Sequence, residues 1–135
     1  MGLIIDSSII IAAERGSIYF TRIDRDLEVY ISAITVTEIL VGILRANTEE
    51  RRVKRSAFVE HIISTIETVA FGVEEARVYS QILNNLFAEN ITIGTYDMMI
   101  SATAIASGHS VLTMNSKDFN RIKGLNCLTM EDIKS

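Results

Sequence analysis

Asp6, Glu38, Asp97, Asn115 and Asp118 are the residues whose types and surroundings could do hydrolytic chemistry. Asp6 directly follows the apolar run Leu3-Ile4-Ile5 and precedes Ser7-Ser8. Glu38 closes Thr35-Val36-Thr37-Glu38, Asp97 follows Gly94-Thr95-Tyr96, and Asn115 and Asp118 sit in Thr113-Met114-Asn115-Ser116-Lys117-Asp118-Phe119. Each has an ordinary reading that stays open on its own. Asp-Ser-Ser after a strand is a helix N-cap, Thr-x-x-Glu is a capping box, a carboxylate suits the first turn of a helix, and Asn-Ser-x-Asp is a common helix start. Taken together they allow more. Carboxylates crowded into one volume repel, so they either protonate or take a cation between them. A hard divalent ion such as Mg²⁺ or Mn²⁺ prefers oxygen ligands and leaves positions for water and substrate phosphate. Such an ion lowers the pKa of a water and polarises a phosphodiester. Asn115 could hold a water through its amide, and Asp118 could be an outer ligand.

No rival catalytic set competes. His61 and His109 lack Cys or His companions at zinc spacing. The glycines form neither of the phosphate-cradling patterns G-x-x-x-x-G-K-[ST] and G-x-G-x-x-G. The single cysteine, Cys127, sits in Asn126-Cys127-Leu128-Thr129-Met130 and reads as a packing residue. It rules out a disulfide framework within the chain and favours a cytoplasmic setting.

The acidic residues matter only if the chain brings them to one place. Strand and helix patterns alternate. Leu3 to Ile5 reads as a buried strand, then Ser7 to Arg15 as a short helix ended by Gly16. Val29 to Ile34 is β-branched and apolar, and Thr35 to Ala46 carries Ile39, Leu40, Ile43 and Leu44 at helical spacing. Thr48 to Thr65 is a long helical pattern with an expected stripe of Val53, Ala57, Ile62, Ile63 and Ile66. Val69 to Phe71 reads as a strand before a helix over Val73 to Ala88. A further helix runs from Thr95 to Ser107 and is stopped by Gly108, followed by strands at Ser110 to Met114 and Cys127 to Met130. Parallel strands need crossovers, which are usually helices, so this order predicts an α/β fold with a parallel sheet covered on both faces. Ligands of such sheets bind beyond the carboxyl ends of the strands, where Asp6 falls.

The 135 residues are 48% hydrophobic, with 22% charged, 7 Gly and no Pro, a composition that predicts one folded domain over 1–135. A net charge of -4 argues against coating nucleic acid through a general positive field. Arg45 and Arg51-Arg52-Val53-Lys54-Arg55 form the one basic concentration, either a phosphate grip or a solvated helix face with pairs such as Glu50 and Lys54. The amino-terminal residues lack the basic region of a signal peptide, and no run reaches a membrane span.

Four segments resemble PIN-domain ribonucleases of the VapC toxin class. They are Leu3-Ile4-Ile5-Asp6-Ser7-Ser8, the stretch from Ile31 to Gly42 containing Glu38, the stretch from Ile93 to Ala104 containing Asp97, and Leu112 to Phe119. The resemblance implies a PIN-like three-layer fold with a sheet of about five parallel strands. It implies that Asp6, Glu38 and Asp97 bind Mg²⁺ or Mn²⁺ and that the chain cuts RNA, often tRNA or rRNA in a single-stranded loop. It also implies a homodimer inhibited by a VapB-like antitoxin whose C-terminal segment fills the active-site groove. The implied reaction is in-line phosphodiester hydrolysis with water as nucleophile, Thr113 or Ser7 orienting ligands. Many members carry Asp where this chain has Asn115, which affects how many metals bind. Two alternatives stand beside this reading: a PIN nuclease of RNA processing with no antitoxin, and a non-catalytic Mg²⁺- or partner-binding module.

Overall fold

The computed structural model describes residues 2–20, 23 and 26–133. Strand β1 (Gly2–Ile5) is the sheet's centre. Its flanks are β2 (Glu28–Ser32) and β4 (Ser110–Leu112), with β3 (Glu67–Val69) and β5 (Cys127–Leu128) outside them. The order is β3-β2-β1-β4-β5 and every pairing is parallel. Each strand therefore needs a crossover, and helices supply them. Helix α1 (Ser7–Glu14) links β1 to β2, and α2 (Ala33–Leu44) with α3 (Glu49–Thr65) links β2 to β3. Helices α4 (Val73–Ala88) and α5 (Thr95–Ser107) link β3 to β4, and α6 (Ser116–Phe119) links β4 to β5. Helix α7 (Met130–Ile133) follows β5.

Alternation along β1 explains why both faces are covered. Leu3 and Ile5 point into a core with Ile9, Ile39, Val59 and Ile62, from α1, α2 and α3. Ile4 points the other way, to Ile100, Ala104, Val111 and Phe119. A third cluster, with Ile82, Leu86, Met98 and Ala102, packs α4 against α5. A central parallel strand buried on both faces is a continuous apolar run, as Leu3-Ile4-Ile5 is.

Several boundaries match the sequence reading. Helix α4 covers Val73–Ala88 and α5 covers Thr95–Ser107. Gly16 and Gly108 close α1 and α5 at φ of 76° and 75°, a left-handed backbone that favours glycine. Other expectations need correction. Helix α2 begins at Ala33, two residues before the expected start, because the Ser32 hydroxyl accepts from the Thr35 amide at 3.0 Å and caps it. Thr35 is therefore buried in the first turn, and Thr35-x-x-Glu38 is no capping box. Of the expected α3 stripe, Ile62 is buried and Ile63 and Ile66 pack against the same core, whereas Val53 is 60% exposed and Ala57 lies on the solvent side; Val59 is the buried residue the stripe left out. Strand β3 lies at Glu67–Val69 and stops short of Phe71. Strands β4 and β5 end at Leu112 and Leu128, before Met114 and Met130.

Candidate active site

The chain builds outward from β1 to β2 and β3, then crosses back to add β4 and β5 on the other side. That reversal opens a crevice beyond the carboxyl ends of β1 and β4. Register pairs Ile5 with Leu112, so the next residues, Asp6 and Thr113, stand side by side at its mouth. Helix α5 runs back toward the start of β4, which sets its first turn, with Asp97, at the same edge. Helix α2 leaves the end of β2 there too and carries Glu38 one turn in.

Asp6 is 5% exposed and fully engaged. It caps α1 by accepting from the Ile9 amide at 3.3 Å, takes the Ser8 hydroxyl at 2.5 Å, and takes the Thr113 hydroxyl at 2.6 Å. A hydroxyl has one proton. Ser8 and Thr113 both spend theirs on Asp6, so their own 3.2 Å approach is an oxygen contact, not a further bond. The Ser8 oxygen also accepts from the Met114 amide at 2.9 Å and the Thr113 oxygen from the Asn115 amide at 3.0 Å, which ties the loop after β4 to the start of α1. Burial still raises the Asp6 pKa, outweighing these bonds.

Glu38 receives the Ser7 hydroxyl on Oε2 at 3.4 Å, while its Oε1 is buried with no partner. Burial, and then the charges of Asp97 and Asp6, lift its pKa to about 7. Asp97 is half-buried in the first turn of α5, and burial, Asp6 and Asp118 raise its pKa. The three carboxylates thus feel one another, with Asp118 contributing from α6. Asp118 pairs with Arg121 at 3.7 Å. Asn115 is exposed at the N-cap of α6 without a side-chain cap bond.

Mutual repulsion and a buried, unpartnered carboxylate oxygen are what a bound cation relieves, and an all-oxygen donor set suits a hard ion. No three Asp, Glu, His or Cys side chains among the described residues are gathered closely enough to enclose an ion unaided. A Mg²⁺-sized ion needs less: one or two carboxylates, with water and substrate oxygens completing the shell. The donors present fit such a group.

The remaining expected residues lie elsewhere. His109 stacks on Tyr30 with ring centroids 4.6 Å apart, far from zinc-type companions. Cys127 is half-buried against the Ile4 cluster. The basic run is a paired helix face: Arg52 meets Glu49 at 2.7 Å and Lys54 meets Glu50 at 3.6 Å. Arg55 turns toward α1, to Glu14 at 3.3 Å. Sequence reasoning gave Ser8 no role, yet its hydroxyl joins Asp6 to the loop after β4. A serine two residues past a strand-end Asp was the available signal.

The profile of the PIN domain matches residues 3–125. The chain is 50% identical to Ribonuclease VapC1 of Rickettsia felis, over 96% of this chain and 97% of that one. It is 34% identical to the tRNA(fMet)-specific endonuclease VapC of Salmonella typhimurium over 70% of each. Its fold superposes on DNA-bound VapBC from Salmonella typhimurium with a TM-score of 0.84 and 26% identity, covering 96% of this chain and 98% of that one. By motif, fold and whole-length similarity, the chain belongs to the VapC family of PIN-domain proteins.

Proposed function

We propose that this chain is a divalent-metal-dependent endoribonuclease and the toxin of a VapBC-type pair. The observation that carries the reading is the mutual electrostatic influence of Asp6, Glu38 and Asp97 at the sheet's crevice, with Glu38 Oε1 buried and unpartnered. Asp6, Glu38 and Asp97 would hold Mg²⁺ or Mn²⁺, with Asn115 and Asp118 at the rim. When bound, the ion polarises the scissile phosphate and makes water a stronger nucleophile. The protein's own part is positional. Ser8, Thr113 and the Ile9 amide hold Asp6 in one orientation, and Ser7 donates to one oxygen of Glu38 while the other is buried without a partner. With a pKa near 7, Glu38 carries its proton part of the time at neutrality and must release it when a cation binds.

A tRNA or rRNA loop is the proposed substrate class, the tRNA part of it supported by the name of the 34% identical relative. A site beyond a sheet edge reaches an unstacked strand more readily than a closed duplex. The proposed inhibitor is a VapB-like antitoxin, supported by the likeness to VapBC from Salmonella typhimurium. A homodimer is proposed through α4, where residues 78–88 carry no charge and Phe87 is 88% exposed.

The test is to induce wild type and Asp97→Asn in a bacterial host and map RNA 5′ ends in both. New ends concentrated in one tRNA or rRNA loop, with wild type alone, support the proposal. Equal cleavage by a folded Asp97→Asn protein, or no metal-dependent cleavage of total RNA by the purified wild type, rejects it.

A further inference from the structure

Ser7 and Glu38 have a second neighbour besides the carboxylates. They form one end of an open cleft of about 230 Å³ between α1, α2 and α3. Its walls are apolar, from Ile10, Ile39, Phe58 and Val59, and its far end is polar, where Glu14 meets Arg55. Arg55 also donates through NH1 to the Gly42 carbonyl at 3.1 Å, which braces the guanidinium from α2. The ion pair is partly shielded, with side chains 37% and 23% exposed.

This is a slot with apolar faces and one polar edge. It is smaller than the roughly 300–1,000 Å³ pockets of drug-sized ligands, so it suits one flat base-sized group. Its charged lining, Glu14 and Glu38 against Arg15 and Arg55, is balanced, so it offers a phosphate no net attraction. An aliphatic side chain would fill the walls but cover a carboxylate and a guanidinium without matching either, at a desolvation cost. A nucleobase answers both demands. Among the four bases only guanine has two adjacent donors, N1–H and the N2 amino group, next to an acceptor, O6. A carboxylate takes the first two side by side, and a guanidinium donates to O6.

We propose that this cleft is a guanine subsite receiving one unstacked base beside the bond to be cut, with Glu14 accepting from N1 and N2 and Arg55 donating to O6. The cleavage role of the subsite rests on the ribonuclease reading; its binding of guanine does not. Because Ser7 and Glu38 belong to both places, the base in the slot and the phosphate at the carboxylates are near neighbours on one strand. The slot therefore makes guanine a determinant of where the chain cuts.

The test is binding, read without cleavage. Isoleucine-methyl-labelled protein is titrated in Mg²⁺ with the 5′-monophosphates of guanosine, adenosine, cytidine and uridine. Guanosine monophosphate should shift the Ile10 and Ile39 methyl signals at concentrations at least tenfold below the other three. Glu14→Gln, on the partly exposed last turn of α1, should abolish that preference, and Arg55→Lys, which keeps the charge but loses the planar fork, should weaken it. Four nucleotides binding alike, no shift at Ile10 or Ile39 with any of them, or a preference unchanged in a folded Glu14→Gln protein would overturn the proposal. Shifts produced by antitoxin peptide but by no nucleotide would overturn it too, leaving a protein-binding groove. Guanosine binding by a protein that cuts no RNA would keep the subsite and reject the nuclease reading instead.

Discussion

The Thr113 hydroxyl donates to Asp6 Oδ2 at 2.6 Å, joining residues 107 positions apart in the sequence. The bond crosses the crevice between β1 and β4, and the same oxygen accepts the Asn115 amide. Thr113 is fully buried and Asp6 is 5% exposed, so Asp6 Oδ2 has little access to water if the bond is lost. Asp6 would keep its Ser8 and Ile9 bonds but lose one anchor of its orientation.

Thr113→Val keeps the shape and removes the hydroxyl. A buried carboxylate oxygen and a backbone amide each lose a partner, which costs roughly 1–3 kcal/mol. Urea denaturation should show that loss. Metal affinity should fall with it, and Thr113→Ser should recover most of both. A Thr113→Val protein as stable as wild type would mean that water replaces the hydroxyl and that Asp6 is not held by it.

The acidic site also predicts a pH dependence. Glu38 titrates near 7 in the fold, above its ordinary value of 4.5, and Asp6 and Asp97 are raised too. A folded pKa above the unfolded one means the native state binds the proton more tightly. Stability from this source is complete below the unfolded value and is lost as pH rises through the folded one. Without metal, melting temperature should therefore gain a falling component between about pH 5 and pH 8. Glu38 is only partly buried, so solvent screening discounts its share to about 1 kcal/mol. Glu38→Gln isolates it: the variant should gain on wild type as pH rises through 7, and millimolar Mg²⁺ should erase the difference by stabilising wild type alone. A constant difference across that range would remove Glu38 from the coupled set.

What the sequence made legible was whatever depends on local pattern. Leu3-Ile4-Ile5 reads as a strand buried on both faces, and Gly108 marks the end of α5, because apolar runs and terminator residues act within a few positions. Asp6, Glu38 and Asp97 could all be placed at one edge by topology, since parallel strands put all their carboxyl ends together. The start of α2 was misread because Thr35-Val36-Thr37-Glu38 fits a capping box, but Ser32 captures the Thr35 amide first. The role of Ser8, the bond from Thr113 and the turn of Arg55 toward α1 depend on β1 meeting β4 and α1 meeting α3. Those contacts join distant segments, and no pattern within either segment encodes them.

The exposed face of α4 makes the last prediction. Phe87 stands 88% exposed beside a groove of about 410 Å³ lined by Leu83, Leu86, Ile91, Ile93 and Met98. A knob and a hole on one face are what a two-fold interface needs, since each copy must offer the other the same surface. The groove reaches Met98 in the first turn of α5, beside Asp97, so a second copy docked there would bring the two candidate sites toward one another. Phe87→Glu leaves the core untouched and sets a charge in each groove. A buried aromatic at the centre of an interface contributes roughly 2–4 kcal/mol, so dimer affinity should fall by at least about thirtyfold. Sedimentation equilibrium should find a wild-type dimer and a Phe87→Glu monomer at the same concentration, with matching circular dichroism. A wild-type monomer, or a dimer indifferent to the substitution, would show that this face serves another purpose.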